Sequence, residues 1–291
     1  MPMFRPMLAA KLEEVAAYQK YPLLASPKLD GVRAMVINNH LYSRSMKIIP
    51  NMHLQERFGL ARYHGLDGEL IMGEPTGATA FRDTTSAVMS QTGKPNVKFY
   101  VFDMWNHAGF AFEDRLKMAA QLRNADIIPV EHMHVYCAND IIALEREYLA
   151  EGYEGVMLRD PLGPYKEGRS TLREGWLMKL KRFHDGEAVV LDKVELMHND
   201  NVAAPDERGY MKRSSHQENK RRGDKLGALS VRDCVTGVQF DIGTGFTEED
   251  RIKLWNENIV GSVVKYRYFP TGSKEKPRFP TFVGFRAVED M

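Results

Sequence analysis

The sequence predicts an α+β protein of two domains, and three observations carry that reading. Helical and strand-like patterns alternate from the N-terminus to about residue 184, and after Phe183 the pattern shifts to short strands with one small helix. At 291 residues the chain suits two domains of ordinary size. Its 43% hydrophobic content supports packed cores and stands well away from disordered composition.

Residues 8–19, "LAAKLEEVAAYQ", read as an amphipathic helix. If 23–30 is extended, Leu24, Ser26, Lys28 and Asp30 share one face. The Asp30–Gly31 step then marks a hairpin turn, since glycine tolerates the positive φ that such turns need. Strands follow at 32–37, 41–44 and 66–72, and a short helix starts near Thr79. "KFYVFDMW" (98–105) is apolar on both faces and reads as a buried strand. Two further helices cover 113–124 and 140–152, the second closing at Gly152, and strands return at 154–159 and 176–181. From residue 186 onward, short strands and a helix opened by a capping box (Thr247 to Asp250) suit a compact β-barrel such as an OB-fold. The domain ranges are therefore 1–184 and 185–291.

No apolar run approaches the length of a membrane span, and charges stand where a signal peptide would be apolar. Two cysteines, Cys137 and Cys234, are too few for a disulfide framework. These features suit a soluble protein of the cytoplasm. Net charge is +1, but residues 208–225 hold seven Lys/Arg against Glu218 and Asp224. Such a run is either a solvated loop or an arm that contacts phosphates. His132 and His134 fall on one strand face near Cys137, but no fourth zinc ligand is evident and an ordinary strand is the better reading.

Several charges sit inside apolar strands, where burial is costly without a partner. Lys28 and Arg33 flank "LDGV", Arg44 interrupts 41–49, Glu69 lies in "LDGELIMG" and Glu154 precedes "GVMLR". Lys179 and Lys181 are two apart, so on a strand they project to one side, and two like charges side by side call for an anion between them. Phe102 shares a strand face with Tyr100. An aromatic there is most often core, but it also suits stacking on a base.

Taken together these segments resemble the covalent nucleotidyltransferases, and specifically the ATP-dependent DNA ligases of the minimal chlorella-virus and phage type. "KLDGVR" (28–33), "SRS" (43–45), "DGEL" (67–70), "YVFD" (100–103), "EGVMLR" (154–159) and "LMKLK" (177–181) match the family's motifs in order. "YKEGRSTLREG" (165–175) and "PRFPTFVGFR" (277–286) are also ligase-like, so the resemblance spans nearly the whole chain. It implies a nucleotidyltransferase (adenylation) domain with antiparallel sheets, an OB-fold domain and an inserted DNA-clamping loop at about 199–227. It also implies a monomer with no obligatory protein partner, acting on nicked duplex DNA inside the cell, or in host cytoplasm if the source is a virus or phage.

The roles follow by resemblance. Lys28 is the nucleophile toward ATP. A lysine amine attacks phosphorus only when neutral, and cations around it favour that form. Ser26, Arg33, Glu69, Phe102, Glu154, Lys179 and Lys181 bind the nucleotide, with Glu69 on the ribose and Phe102 on adenine. Lys179, Lys181 and Arg44 assist catalysis, and Glu154 with Glu69 holds Mg²⁺ or Mn²⁺. Arg44, Arg208, Lys212, Arg213, Lys220, Arg221 and Arg222 contact DNA. The chain ends "FRAVEDM", without the terminal basic residue common in the family, which leaves Arg278 or Arg286 to orient the leaving pyrophosphate. An RNA ligase or an mRNA-capping guanylyltransferase shares the lysine chemistry. A non-catalytic nucleic-acid clamp is a third possibility, against which the intact lysines and acidic motifs argue.

Overall fold

The computed structural model describes residues 4–77, 79–200, 203–205, 211–213, 220–269 and 276–286, with the side chains of 203–205, 211–213 and 220 left aside. The chain forms two compact units, residues 1–182 and 183–291.

The first unit is built on two five-stranded sheets. One has the order β1 (Ala10–Lys11), β10 (Leu177–Leu180), β9 (Val156–Arg159), β2 (Leu23–Pro27) and β8 (Met133–Val135). The other has the order β4 (His40–Ser43), β3 (Val32–Ile37), β5 (Leu66–Met72), β6 (Val97–Met104) and β7 (Ile127–Pro129). Pairing is antiparallel except at β1–β10 and β6–β7. Helices α1 (Met52–Phe58), α2 (Ala80–Met89), α3 (Phe112–Ala120) and α4 (Ala138–Glu151) complete the unit. Each sheet has its own core, around Leu54, Phe58, Leu70 and Phe99 in one, and around Leu23, Ile141, Val156 and Met178 in the other.

Four expectations need correcting. Residues 8–19 form no helix. Ala10 and Lys11 pair with Met178 and Lys179, and Leu12, Val15 and Tyr18 are buried in irregular backbone. Sheet pairing outweighs local helix propensity there. The Asp30–Gly31 step closes no hairpin, because β2 and β3 belong to different sheets and residues 28–31 cross between them. Gly31 does not adopt a positive φ. What it supplies is room, since a Cβ there would lie 2.3 Å from the Leu70 carbonyl oxygen. β6 is not buried on both faces either: Val97, Phe99 and Val101 fill the core while Lys98, Tyr100 and Phe102 are half-buried. Finally, His132 precedes β8 and only His134 lies within it, so the two do not share a strand face. His134 and Cys137 are exposed.

The second unit is a five-stranded antiparallel sheet in the order β15 (Gln239–Ile242), β14 (Lys220–Asp233), β11 (His184–Asn199), β16 (Val263–Phe269) and β17 (Arg278–Phe285). A parallel bridge from Thr244 to Thr281 joins its two edges. α5 (Glu248–Asn256) carries the expected capping box, with Thr247 and Asp250 satisfying each other's backbone N–H groups, and Leu254 packs into the core with Val231 and Tyr266. Between the paired ends Asn199 and Lys220, the short strands β12 (Ala203–Pro205) and β13 (Met211–Arg213) form an antiparallel ribbon.

Candidate active site

Lys28 leaves the end of β2 and is fixed by reciprocal backbone bonds. Its N–H donates to Gly155 O (2.8 Å), and its carbonyl accepts from Glu154 N (3.2 Å). Gly155 makes this approach possible. Its φ is 143°, and a Cβ would stand 2.2 Å from Leu180 O. The residue pair therefore sits where β2, β9 and β10 run together.

The side chains repeat the pairing. Lys28 Nζ donates to one Glu154 carboxylate oxygen and Lys181 Nζ to the other, with Glu154 only 5% exposed. Burial raises the Glu154 pKa, but the two ammonium groups outweigh it and hold the carboxyl below its usual range. Lys181 lies one residue beyond β10, whereas Lys179 lies within the strand, opposite Met157. Burial, with Lys28, Arg169 and Arg44 nearby, pulls the Lys179 pKa down. Neither Lys179 nor Arg44 donates to a protein acceptor among the described residues.

A cavity of about 540 Å³ opens beside Lys28. Ser26, Arg33, Arg44, Glu69, Phe102 and Lys179 line it, along with Val130, His132, Met157, Arg159 and Arg169. Ser26 is buried on β2 opposite Met157. Glu69 takes a hydrogen bond from the Gly31 backbone, and burial raises its pKa to about 7 against the pull of Lys28 and Arg33.

Phe102 reaches the cavity through a β-bulge. The β5–β6 register runs Asp67 to Asp103 and then Gly68 to Val101, so Phe102 is the extra residue. Arg33 lies beneath its ring, 5.4 Å from the centroid. Arg33 is also held by Asp67 through two bonds of 2.9 and 2.6 Å and by the Met7 carbonyl at 2.7 Å. Its cation is thus committed to buried protein partners.

The bulge sets two fully buried carboxylates, Asp67 and Asp103, directly opposite each other. Like charges in that position repel unless each is neutralised. Asp67 takes Arg33 and the Tyr165 hydroxyl (2.8 Å). Asp103 takes Arg115 (2.7 Å) and Arg159 (2.7 Å). The two carboxylates and their arginines form the floor on which the cavity rests. Sequence reading missed Asp67, Asp103, Arg159 and Arg169 as parts of the site, although all four stand in the motif segments. A charge in an apolar run was the available signal.

The cavity fits a nucleotide. It combines cations for phosphates, a carboxylate for hydroxyls and an aromatic face for a base. For a divalent cation the oxygen donors are Glu154 and Glu69, and among the described residues no group of three His, Cys, Asp or Glu side chains is placed to hold a metal. That sparse carboxylate set suits Mg²⁺, which keeps its waters and binds through substrate phosphates.

Of the cations expected to contact DNA, Arg44 lines the cavity. Arg221 and Arg222 are exposed on β14 and pair with Asp200 (3.3 Å) and Glu195 (3.6 Å). Arg208 lies outside the described residues, as do the side chains of Lys212, Arg213 and Lys220. Of the two pyrophosphate candidates, Arg286 donates to Glu187 at 2.9 Å, and Arg278 lies over the Phe279 ring.

Fold and pocket together define a nucleotide-dependent ligase built from a catalytic unit and a small β unit. Residues 6–181 match the ATP dependent DNA ligase domain, and residues 219–286 match the DNA ligase OB-like domain. A DNA ligase of Haemophilus influenzae is 26% identical over 276 residues, covering 91% of this chain and 88% of that one. The structure of the chlorella virus DNA ligase-adenylate is 34% identical with a TM-score of 0.53, covering 97% and 99% of the two chains. A Lig E DNA ligase structure is 27% identical with a TM-score of 0.71, covering 98% and 100%. The chain belongs to the ATP-dependent DNA ligase family, and the RNA ligase, capping and non-catalytic readings fall away.

Proposed function

We propose that Lys28 Nζ attacks the α-phosphorus of ATP, forming the N–P bond of a lysyl–AMP phosphoramidate as the P–O bond to pyrophosphate breaks. The AMP then passes to the 5′-phosphate of a nick in duplex DNA, and the 3′-hydroxyl displaces it to join the strand. The observation that carries this reading is the shared Glu154 carboxylate, which holds Lys28 and Lys181 at the edge of a cation-lined cavity. The chlorella virus relative, described as a ligase-adenylate, supports the covalent step.

In this reading Phe102 stacks on adenine, Glu69 holds the ribose, and Ser26 and Arg33 shape the nucleotide site. Lys179 and Lys181 neutralise charge that builds at the α-phosphate, where prearranged cations lower the barrier most. Arg44, free of protein acceptors among the described residues, meets the 5′-phosphate of the nick. Glu154 and Glu69 hold Mg²⁺ or Mn²⁺, which supplies charge neutralisation on the triphosphate. The ribbon between Asn199 and Lys220 carries Arg208, Lys212 and Arg213, and with Lys220, Arg221 and Arg222 it contacts backbone phosphates without reading sequence.

The test gives the purified chain α-labelled ATP or GTP with Mg²⁺, then a nicked duplex, beside Lys28→Ala. Label from ATP on the wild type alone, released as the nick seals, is the expected result. A blank wild type, or a labelled Lys28→Ala, overturns the assignment.

A further inference from the structure

We propose that His132 selects the base: its Nε2 accepts a hydrogen bond from the 6-amino group of adenine and disfavours 6-oxo purines. This rests on the reading of the cavity as the ATP site and names how that site tells ATP from other triphosphates.

The cavity lining divides by chemistry. Lys28, Arg44 and Arg169 gather around Lys179, as their joint effect on that lysine requires. The rest is largely apolar, with Phe102, Val130 and Met157 beside His132. Cations suit the triphosphate and apolar walls suit a purine, which places His132 on the base. Arg159, the other polar group nearby, is committed to Asp103.

The tautomer of His132 is set by its neighbour. Nδ1 lies 2.9 Å from the Val130 carbonyl oxygen. A carbonyl only accepts, so Nδ1 carries the proton. In the neutral ring Nε2 is then a lone-pair acceptor, and no described group donates to it. The ring is neutral at physiological pH: burial pulls its pKa down to about 4, Arg159 adds to this, and the Val130 bond only partly opposes it. Phe112, fully buried, meets the imidazole edge-on at 5.3 Å and 70°, which fixes the ring plane. A fixed acceptor pairs with an amino group. Against a 6-oxo group it faces a second acceptor, and both lose a partner.

The test measures kcat/KM for labelling of the full chain by ATP, inosine triphosphate and the triphosphate of unsubstituted purine riboside. The wild type should prefer ATP over the inosine nucleotide by roughly 10- to 100-fold and over the unsubstituted one by roughly 2- to 10-fold, the range for a mismatched and a missing hydrogen bond. His132→Phe should bring all three within about threefold of one another. His132→Gln, whose amide turns to donate or accept, should admit the inosine nucleotide while keeping ATP. A wild type without preference, or either variant keeping the wild-type ratios, overturns the proposal. Should His132→Phe fail to fold by thermal unfolding, the wild-type and His132→Gln ratios decide it. A wild type labelled by no triphosphate overturns the Lys28 reading and this one with it, whereas labelling at unchanged ratios overturns this one alone.

Discussion

Glu69 shows how the site holds a carboxyl out of its ordinary state. Burial beside the Lys28 crossing lifts its pKa from 4.5 to about 7. A raised acid stabilises the fold fully below its unfolded pKa, and that contribution is lost as pH rises through the folded value. Glu69→Gln removes the penalty of the buried charge. The variant should match the wild type below about pH 4.5 and exceed it in thermal stability above about pH 7, with the gap opening in between. Unfolding midpoints across that range give the check, and a gap that stays constant throughout contradicts the assignment. A second residue-level expectation concerns Asp103, whose side chain is fully buried between Arg115 and Arg159. Asp103→Ala strands two buried guanidinium groups and should cost about 3–5 kcal/mol in urea unfolding. A loss under about 1 kcal/mol would mean that water or another acceptor replaces the carboxylate.

At the scale of elements, the site depends on a crossing and a bulge. Residues 28–31 pass from one sheet to the other, and Gly31 and Gly155 allow the backbones to approach at that point. Gly155→Ala imposes both a strained φ and a clash with Leu180 O. It should lower Tm by about 2–10 °C, from the usual cost of such strain. Labelling at Lys28 should fall more than about tenfold even well below the new Tm, because the backbone pair that aims the lysine is disturbed. Unchanged labelling of the folded variant would show that Lys28 is aimed by its side-chain bonds alone. The bulge at Phe102 acts in the same way, since one extra residue turns an aromatic from the core face toward the cavity.

For the whole molecule, charge is organised locally. The net charge of +1 conceals the basic run on and beside the β12–β13 ribbon. Exposed pairs such as Arg221–Asp200 are worth little, so phosphates displace the carboxylates readily. Deleting 205–224 should weaken binding to nicked duplex while leaving lysine labelling within about twofold. The slope of log affinity against log salt should become shallower by about 0.9 for each DNA phosphate that the shortened chain no longer neutralises. Equal falls in labelling and binding would show that this segment supports the catalytic unit instead.

What the sequence by itself determined was the chemistry: a lysine before Asp-Gly, two acidic motifs, two closing lysines and a change of pattern near residue 184. These were legible because charge inside apolar runs is costly and so carries information locally. The strands 32–37 and 66–72 and the Thr247 capping box were legible for a related reason, as each depends on neighbours in sequence. Tertiary structure alone decided that residues 8–19 join a sheet, that residues 28–31 link two sheets, and that Phe102 faces a cavity. It also decided that Asp67 and Asp103 face each other across a register shift. Those outcomes depend on pairing between segments distant in the chain, and on a bulge whose presence no local pattern records.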